Sequence, residues 1–408
     1  MQKNRKKIST TASSEKSRTV KRSKVPTSKN IKKRIFVMMS GGVDSSTVAF
    51  LLSKNKKYEV FGSFIKGYNI DGCQEKEAED ARRVAEFLNI PFYVINLEEE
   101  YRKLVVDYMI KGYKNGITPN PDVMCNKEIK FGLFLKKALE LGADYVATGH
   151  YVRLSRKTSN SKHQISNKVE LPIVNYQLII AKDKNKDQSY FLWTLTQDQL
   201  KHCLFPIGEY TKPEIRKIAA KANLPTAGKK DSQGICFLGK ISIKEFLKQH
   251  LPVEKGNIID VNGKKIGKHD GAWFYTIGQR HGLDIGERNK GQGIKNSNFK
   301  PYYVVGKNVK KNLIIVAEGE KNPELCKKEI EISDCNFNPL LFGLKRFPDE
   351  IYVRIRYRQV LAPAFLHSLS SGKYGINFEK PQKFVAPGQS AVFYDKNGKM
   401  LGGGIICS

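Results

Sequence analysis

Two of the seven cysteines lie in segments that suit a reactive thiol. Cys125 stands at the start of a predicted helix close to Lys127, where the helix dipole and an ammonium group would both favour the thiolate. Cys236 lies between two glycines of a predicted loop, and glycines leave room for another group to approach the sulfur. From spacing alone, an equally good interpretation of the first segment is a helix capped by Asp122 and followed by an inert buried thiol.

A glycine loop near the start of the chain suits phosphate binding. Apolar residues 35–39 predict a short buried strand, a Ser-Gly-Gly turn follows, and residues 43–52 have helical spacing. The start of such a helix attracts anions. The alternative is that the two glycines only form the turn and that Asp or Ser only caps the helix, as in any strand–turn–helix unit. The chain has no Walker A motif and no three-glycine dinucleotide fingerprint at this point. The segment Ser40-Gly41-Gly42-Val43-Asp44-Ser45 resembles the pyrophosphate loop of enzymes that cleave ATP between its α and β phosphates.

The composition predicts a polyanionic partner. The 408 residues carry a net charge of +31, and the first 34 residues contain 13 Lys and Arg against one acid, Glu15. Because the remainder is also strongly basic, nucleic acid is the commonest partner for such a chain, with a merely lysine-rich cytosolic protein as the alternative. Residues 1–33 have almost no apolar side chains and are expected to be a disordered cationic tail; an organelle-targeting segment is the less favoured interpretation.

The remaining cysteines are typical of reduced thiols in a cytoplasmic protein. There is no C-x-x-C pair, which argues against a zinc site and against a cysteine-ligated cluster, so no resident metal ligands are predicted. No stretch approaches the roughly 18 to 20 apolar residues that span a membrane, and no membrane partner is predicted.

The elements that would position these residues alternate between strand and helix. Strands are predicted at 58–65, 91–97 and 145–147, with helices at 75–89, 98–111 and 128–141, which indicates a parallel sheet covered by helices on both faces. Ligands of such sheets lie at the carboxyl ends of the strands. The glycine loop, Ile65 and Thr148-Gly149-His150 are therefore expected to converge on one edge.

Beyond residue 150 the pattern changes towards antiparallel structure. Residues 155–176 are polar and predict an irregular surface excursion, and residues 182–193 form a polar loop leading into aromatic residues, suited either to RNA or to a simple solvated loop. Hairpin signals at 261–264 and 395–399 and the short strands of the last hundred residues predict a barrel. Strict alternation over 353–358 predicts a strand with Arg354, Arg356 and Arg358 on one face, suited to phosphates or to a solvated edge.

Seven motifs in order resemble those of tRNA-specific 2-thiouridylases, and the resemblance runs from about residue 34 to the end. They are the glycine loop, Asn120-Pro121-Asp122 with Cys125-Asn126-Lys127, Ala147-Thr148-Gly149-His150-Tyr151, Lys186-Asp187-Gln188-Ser189-Tyr190, Gly234-Ile235-Cys236-Phe237, Tyr275-Thr276-Ile277-Gly278-Gln279-Arg280 and Arg356-Tyr357-Arg358-Gln359. The resemblance implies an enzyme that replaces the C2 oxygen of the wobble uridine in tRNA by sulfur. It does not cover the basic tail.

The resemblance also implies a fold, a co-substrate and a set of site residues. The fold is a Rossmann-like α/β domain of the adenine nucleotide α-hydrolase type (34–240), a small β-rich central domain (241–298) and a C-terminal antiparallel β-barrel that contacts tRNA (299–408). ATP would bind, with Mg²⁺ assisting release of pyrophosphate, at Met38, Met39, Ser40, Gly41, Gly42, Val43, Asp44, Ser45, Ile65 and Gly149. Ile65 stands where we associate a methionine with the family, and both present an apolar contact to adenine.

The two cysteines have distinct roles by this resemblance. Cys236 carries the persulfide loaded by a sulfur-relay protein, Cys125 frees the sulfur and leaves a Cys125–Cys236 disulfide, and Asp122 acts as acid or base beside the flipped uracil. Contacts with tRNA are implied for Asn120, Pro121, Asp122, His150, Lys186, Asp187, Gln188, Arg356, Tyr357 and Gln389.

Two other functions remain open on the sequence. The first is another ATP-using enzyme of the same class, an amide-forming ligase or a lysidine synthetase, which would not need a pair of loop cysteines. The second is a non-catalytic RNA-binding protein, whose affinity would not depend on Asp44.

Overall fold

The computed structural model describes residues 32–70, 72–165, 169–231, 236–239, 241–285, 300–339 and 350–407. Most of the predicted basic tail lies outside these ranges. So do Gly234 and Ile235, and the side chain of Cys236 is not described.

The first sheet is parallel and carries the glycine loop at its carboxyl edge. Its strand order is β3-β2-β1-β4-β7, and each neighbouring pair is parallel. The strands are β1 (Lys33–Met38), β2 (Tyr58–Lys66), β3 (Phe92–Asn96), β4 (Tyr145–Ala147) and β7 (Cys203–Leu204). The sequence prediction of a parallel α/β sheet is confirmed.

Helices cover both faces of this sheet. Helix α1 (Val43–Ser53) and α2 (Cys73–Phe87) pack on one apolar cluster with Ile35, Val37 and Val60. On the other face, Phe36 and Met38 pack with residues of the later helices. Because neighbouring residues of β1 are buried on opposite faces, the continuous apolar run in its sequence is explained.

The helices that carry the predicted thiol site contain π-helical segments. Helices α3 (Glu98–Tyr101) and α4 (Asp107–Lys114) are joined by a π segment, Arg102–Val106. Helices α5 (Pro121–Met124) and α6 (Leu135–Glu140) are joined by a second, Cys125–Phe134. The helix predicted at 128–141 begins earlier than expected, because Pro121 occupies the first helical turn, where its missing N–H costs nothing.

A β-hairpin replaces the irregular excursion predicted at 155–176. Strands β5 (Arg153–Ile165) and β6 (Val169–Ile179) pair antiparallel, with a register shift between Thr158 and Lys162. The base of this hairpin is held both by backbone pairing and by apolar contacts, since Leu178 is buried in the core and Leu154 and Tyr176 pack partly buried against it. The chain then passes through α7 (Gln197–Leu200) to helix α8 (Lys212–Lys221), which begins with a capping box formed by Thr211 and Glu214.

A second sheet follows helix α9 (Ile243–Lys248) and has the strand order β10-β11-β8-β9. Its strands are β8 (Gly256–Asp260), β9 (Lys265–His269), β10 (Tyr302–Asn308) and β11 (Leu313–Glu318). The predicted hairpin at 261–264 joins β8 to β9. Strands β10 and β11, which the sequence pattern grouped with the barrel, pair instead with this sheet.

The C-terminal region is a closed antiparallel barrel, as predicted. Its strands, in the order β12-β15-β14-β13-β16-β17, enclose an apolar core. They are β12 (Cys326–Phe337), β13 (Ile351–Arg354), β14 (Ala362–Ser368), β15 (Tyr374–Lys383), β16 (Ser390–Tyr394) and β17 (Met400–Ile406). The predicted hairpin at 395–399 joins β16 to β17.

The predicted row of three arginines on one strand face is wrong. Strand β13 ends at Arg354, whose buried guanidinium lies 2.9 Å from the Asp187 carboxylate. Arg356 follows in a bend, and Arg358 has a left-handed backbone with φ of 63°. The three arginines alternate with other residues in the sequence, but their side chains do not share one face of a strand.

Buried hydrogen bonds attach the barrel to the first domain. The Tyr190 hydroxyl donates to the carbonyl of Ser390 at 3.0 Å, and the Trp193 indole donates to the Ser390 hydroxyl at 3.0 Å. The Gln389 amide donates to the carbonyl of Thr118 at 2.9 Å. Each such bond contributes about 1 kcal/mol. Together they hold the 190–193 region and the segment before α5 against the barrel.

Candidate active site

The carboxyl edge of the first sheet contains a cavity of about 220 Å³. As the sequence predicted, residues following β1, β2 and β4 meet there. Helix residues complete the walls, including a cysteine. The lining consists of Met38, Met39, Ser40, Asp44, Ser45, Phe64, Ile65, Gly67, Gln74, Glu77, Tyr101, Cys125, Ile129, Lys130, Thr148, Gly149 and His150.

The glycine loop is held in one conformation by its own backbone and hydroxyl groups. Gly41 has a left-handed backbone with φ of +67°, and a Cβ there would overlap the carbonyl of Glu77. The Ser45 hydroxyl accepts from the backbone N–H of Ser40 at 3.1 Å and donates to the carbonyl of Gly42 at 3.2 Å. This arrangement closes the turn between β1 and α1.

The first turn of α1 is open towards the cavity. Its N-cap is Gly42, which has no side chain to bond the free N–H groups of that turn. Gly149 packs against it so closely that a Cβ would lie 3.0 Å from the Ser45 nitrogen. These features suit a phosphate group, because unpaired N–H groups and the helix dipole both attract negative charge.

Asp44 connects this turn to a network of charges. Both of its carboxylate oxygens accept from Lys212 at 2.8 Å, and one also accepts from the Tyr151 hydroxyl at 2.8 Å. Lys212 is also 2.9 Å from Asp231. Burial and the nearby Asp44 carboxylate raise the pKa of Tyr151 far above its usual value. Sequence reasoning assigned no role to Lys212, because nothing local indicates that this lysine is buried.

Asp231 has three basic neighbours and stands five residues before Cys236. Besides Lys212, it binds Lys186 at 2.7 Å and Arg216 at 2.6 Å. Burial opposes its ionisation, but hydrogen bonds from Lys186 and Lys212 hold the pKa of this carboxyl well below its ordinary range. The carboxylate therefore fixes the position of Asp231, the last described residue before the gap at 232–235.

Cys125 lies inside the helix rather than at its start, which corrects the sequence interpretation. The helix begins at Pro121, and the cap is Asn120, whose side chain accepts from the Val123 N–H at 3.2 Å; Asp122 is not the cap. Burial raises the pKa of the Cys125 thiol, and the Lys130 charge partly opposes this rise. Lys127, which was predicted to favour the thiolate, is half exposed instead, and its ammonium group lies 3.2 Å from the Glu128 carboxylate.

Two titratable groups near Cys125 are also shifted by burial. Burial raises the pKa of the Asp122 carboxyl, which lies one turn earlier on the same helix. Burial lowers the pKa of His150 well below its ordinary value, and its Nδ1 shares a hydrogen bond of 2.8 Å with the Thr148 hydroxyl. The histidine is therefore neutral at physiological pH, and Asp122 is suited to exchange a proton.

The segment of Cys236 approaches Cys125 through an aromatic contact. Cys236 begins a short 3₁₀ helix, Cys236–Leu238, and Gly239 follows with φ of 57°. The ring of Phe237 is buried 5.8 Å from the ring of Tyr101. Tyr101 lines the cavity and hydrogen-bonds the Cys125 thiol. Two aromatic rings, those of Phe237 and Tyr101, thus lie between the backbone next to Cys236 and Cys125.

Most residues predicted to contact tRNA have partners within the protein. Asp187 is buried against Arg354, the Gln188 side chain accepts from the Tyr151 N–H at 3.0 Å, and Lys186 pairs with Asp231. Pro121 is buried at the helix start.

The barrel residues of that set are engaged in the same way. Arg356 donates to the carbonyls of Ile277 and Phe384, and Tyr357 packs 4.5 Å from the Phe191 ring. Gln389 is bonded to the backbone before α5. These side chains shape the surface in which they lie, and several are half-buried with a face left open.

The described residues contain no group of three His, Cys, Asp or Glu arranged to hold a metal ion. Within the same ranges, no helix is long and apolar enough to cross a membrane.

Three family models match successive parts of the chain. They are described as a tRNA methyl transferase HUP domain (residues 33–240), a tRNA methyl transferase PRC-barrel domain (244–318) and an aminomethyltransferase beta-barrel domain (328–406). Two curated proteins are similar over nearly their whole length. The tRNA-specific 2-thiouridylase MnmA 1 of Geobacillus kaustophilus is 45% identical over 92% of this chain and 95% of its own. The tRNA-specific 2-thiouridylase MnmA of Streptococcus sanguinis is 42% identical over 93% and 96%.

The match extends over all three described regions, from the parallel sheet to the barrel. At this level of identity and coverage, the chain belongs to the family of tRNA-specific 2-thiouridylases, which are enzymes.

Proposed function

We propose that this protein is a tRNA-uridine 2-sulfurtransferase that uses ATP to form 2-thiouridine at the wobble position of tRNA. The observation that carries the proposal is the single cavity at the carboxyl edge of the first sheet. Its lining includes both the glycine loop and Cys125. A group activated by phosphate chemistry and a sulfur nucleophile would therefore meet in one chamber.

ATP is the first substrate of the proposed reaction. Its phosphates would bind within the segment Met38–Ser45, where Gly41 and Gly42 leave the backbone accessible at the start of α1. The adenine would contact Ile65 and Gly149, which line the same cavity. The uridine C2 oxygen attacks the α phosphate and displaces pyrophosphate, which converts a poor leaving group into AMP.

Asp44 is the residue suited to hold Mg²⁺ beside the phosphates. Its carboxylate oxygens are bound by Lys212 in this structure, so a metal ion would replace a cation that is already present. Bound Mg²⁺ would neutralise the developing charge on pyrophosphate.

Sulfur would reach the base from a persulfide on Cys236. The Cys125 thiolate forms a bond to the inner sulfur of this persulfide, the S–S bond breaks, and hydrosulfide leaves with the electron pair. Hydrosulfide then attacks C2 of the activated uridine and AMP departs. The Cys125–Cys236 disulfide must be reduced before the next cycle.

Asp122 would donate or accept the proton at the base, since burial raises its pKa towards neutrality. The flipped uridine would enter beside Asn120, Pro121 and Asp122. His150, Lys186, Asp187, Gln188, Arg356, Tyr357 and Gln389 would contact the tRNA directly or shape its binding surface. A sulfur-relay protein would load Cys236, residues 34–240 would form the catalytic domain, and the C-terminal barrel would contact tRNA.

The proposal is tested by nucleoside mass spectrometry of unmodified tRNA incubated with protein, ATP and Mg²⁺. Sulfur is supplied either as free sulfide or through a persulfide-donating relay protein. We expect 2-thiouridine only when ATP is present, and we expect Cys236→Ser to abolish the relay-dependent product. If AMP forms but no thiolated base does, the assignment of tRNA uridine as the substrate is wrong. If well-folded protein forms neither product, a non-catalytic RNA-binding function replaces this proposal.

A further inference from the structure

Lys130 is a cation in the cavity that the proposed steps above do not use. Among the described lining residues it is the one lysine or arginine, and Asp44 and Glu77 are the two acids. Asp44 is already bound by Lys212. Within the described part of the chain, no carboxylate forms an ion pair with Lys130. Its charge is therefore available to other groups in the cavity.

The π-helical segment brings Lys130 to the same wall as Cys125. In an α-helix, positions five apart lie about 140° apart around the axis, since there are 3.6 residues per turn. In the segment Cys125–Phe134 the turn closes from residue i to residue i+5, so residue 130 lies about one turn above residue 125. Both side chains consequently line the cavity.

Lys130 acts electrostatically on the titratable groups around it. Burial raises the pKa values of Cys125 and Asp122, and in each case the nearby Lys130 charge opposes the rise. For His150, burial lowers the pKa and Lys130 lowers it further. Cys125 and His150 line the same cavity as Lys130, and Asp122 lies on the helix that carries Cys125.

The other groups around Cys125 differ from Lys130 in the sign or the strength of their effect on the thiol pKa. The Tyr101 hydroxyl, from the neighbouring helix, favours the thiolate through a hydrogen bond, whereas Asp122 on the same helix disfavours it. Neutral His150 contributes no charge, and Asp44 and Glu77 belong to the loop side of the cavity. Lys130 is thus the full positive charge that acts on the thiol.

We propose that Lys130 is a positioning residue of the thiolation step, whose ammonium group stabilises the Cys125 thiolate as it forms to attack the persulfide. The inference rests on the proposed function. The thiol proton passes to water, the thiolate bonds to the inner persulfide sulfur, and hydrosulfide leaves with the electrons of the broken S–S bond. Replacing the charge should leave the cavity intact but keep Cys125 protonated.

The test is the pH profile of Cys125 alkylation by iodoacetamide, followed by peptide mass spectrometry on the full-length protein. At pH 7.5 we expect Lys130→Met to slow alkylation about tenfold, with the profile displaced about one pH unit upwards. Lys130→Arg, which keeps the charge, should stay within twofold of wild type. The matched control is Lys127→Met, three residues away on the same helix, which should have no effect because Lys127 is exposed and pairs with Glu128.

An unchanged profile in folded Lys130→Met would overturn the inference, as would equal slowing in Lys130→Arg and Lys130→Met. Thiolation assays separate this outcome from failure of the proposed function. If Lys130→Met displaces the profile but wild type makes no 2-thiouridine, the charge acts on Cys125 and the proposed reaction is wrong. If wild type makes the product, Lys130→Met should slow it about tenfold, and higher pH should restore the rate.

Discussion

The two ends of the cavity are built in different ways. At the loop end, the geometry comes from a short run of sequence, with Gly41 in a left-handed conformation and the Ser45 hydroxyl closing the turn. At the thiol end, the geometry comes from a π-helical segment that places Cys125 and Lys130 on one wall. The charges differ as well. At the loop end Lys212 is paired with two carboxylates, whereas no described carboxylate forms an ion pair with Lys130 at the thiol end.

This difference separates what each end is adapted to do. A rigid loop with a neutralised carboxylate suits a substrate whose phosphates always bind in the same way. A buried thiol next to a cation suits a nucleophile that must be formed only within the cavity. Each substitution below changes one end of the cavity at a time.

The largest effect is expected from Cys125→Ala. Loss of the nucleophile should reduce thiolation at least ~10³-fold. The loop end is left intact, so the ATP dissociation constant should stay within twofold, as measured by calorimetry. A parallel fall in ATP affinity would show that the two ends are not separable.

Lys212→Met should destabilise the fold by about 3 kcal/mol, because it leaves Asp44 and Asp231 without their shared cation. Urea unfolding measures this change. The matched control is Lys182→Met, whose half-exposed pair with Glu214 should contribute less than ~1 kcal/mol. Equal losses in the two variants would mean that the buried ion pairs of Lys212 contribute no more to stability than the half-exposed pair of Lys182.

Gly41→Ala should cost about 2 kcal/mol of stability and weaken ATP binding, because φ is +67° and a Cβ would overlap the Glu77 carbonyl. Thermal unfolding and ATP titration measure the two effects. Gly42→Ala is the control, since a Cβ there would meet only the Ser40 hydroxyl, at 3.5 Å, and φ is −93°. If both substitutions behave alike, the loop is less constrained than its geometry indicates.

The smallest effect concerns pH. The pKa of Asp231 is lower in the folded protein than in the unfolded chain, so its contribution is present above about pH 4 and is lost as pH falls towards the folded pKa. The free energy of unfolding should therefore decrease between pH 5 and pH 2. Asp231→Asn should flatten this decrease, whereas Asp198→Asn, at an exposed pair with Lys201, should leave it unchanged.

Local patterns were sufficient to predict the loop end of the cavity. The apolar run before Ser40 and the two glycines after it specify a strand and a tight turn whatever the surroundings. The convergence of Ile65 and Gly149 on that edge follows from the topology of any parallel sheet. The barrel was also predictable from local patterns, because its turn signals, such as 395–399, specify hairpins between neighbouring strands.

The thiol end depends on contacts that no local pattern contains. Lys127 and Lys130 look alike in sequence, and only the π-helical register turns the second towards Cys125. Likewise, Arg354 resembles a surface arginine until Asp187, far away in the chain, pairs with it in the interior. Tertiary packing selects these residues, so a pattern of residue types could not identify them.

The central claim, that one cavity serves both nucleotide and thiol, is tested most directly by nucleotide protection. Cys125 alkylation by iodoacetamide is followed by mass spectrometry with and without a saturating ATP analogue that cannot be cleaved between its α and β phosphates. Cys326, on the barrel and partly exposed, is the internal control. We predict that the analogue slows alkylation of Cys125 at least fivefold and leaves Cys326 unchanged. Bound nucleotide with an unchanged Cys125 rate would contradict the claim.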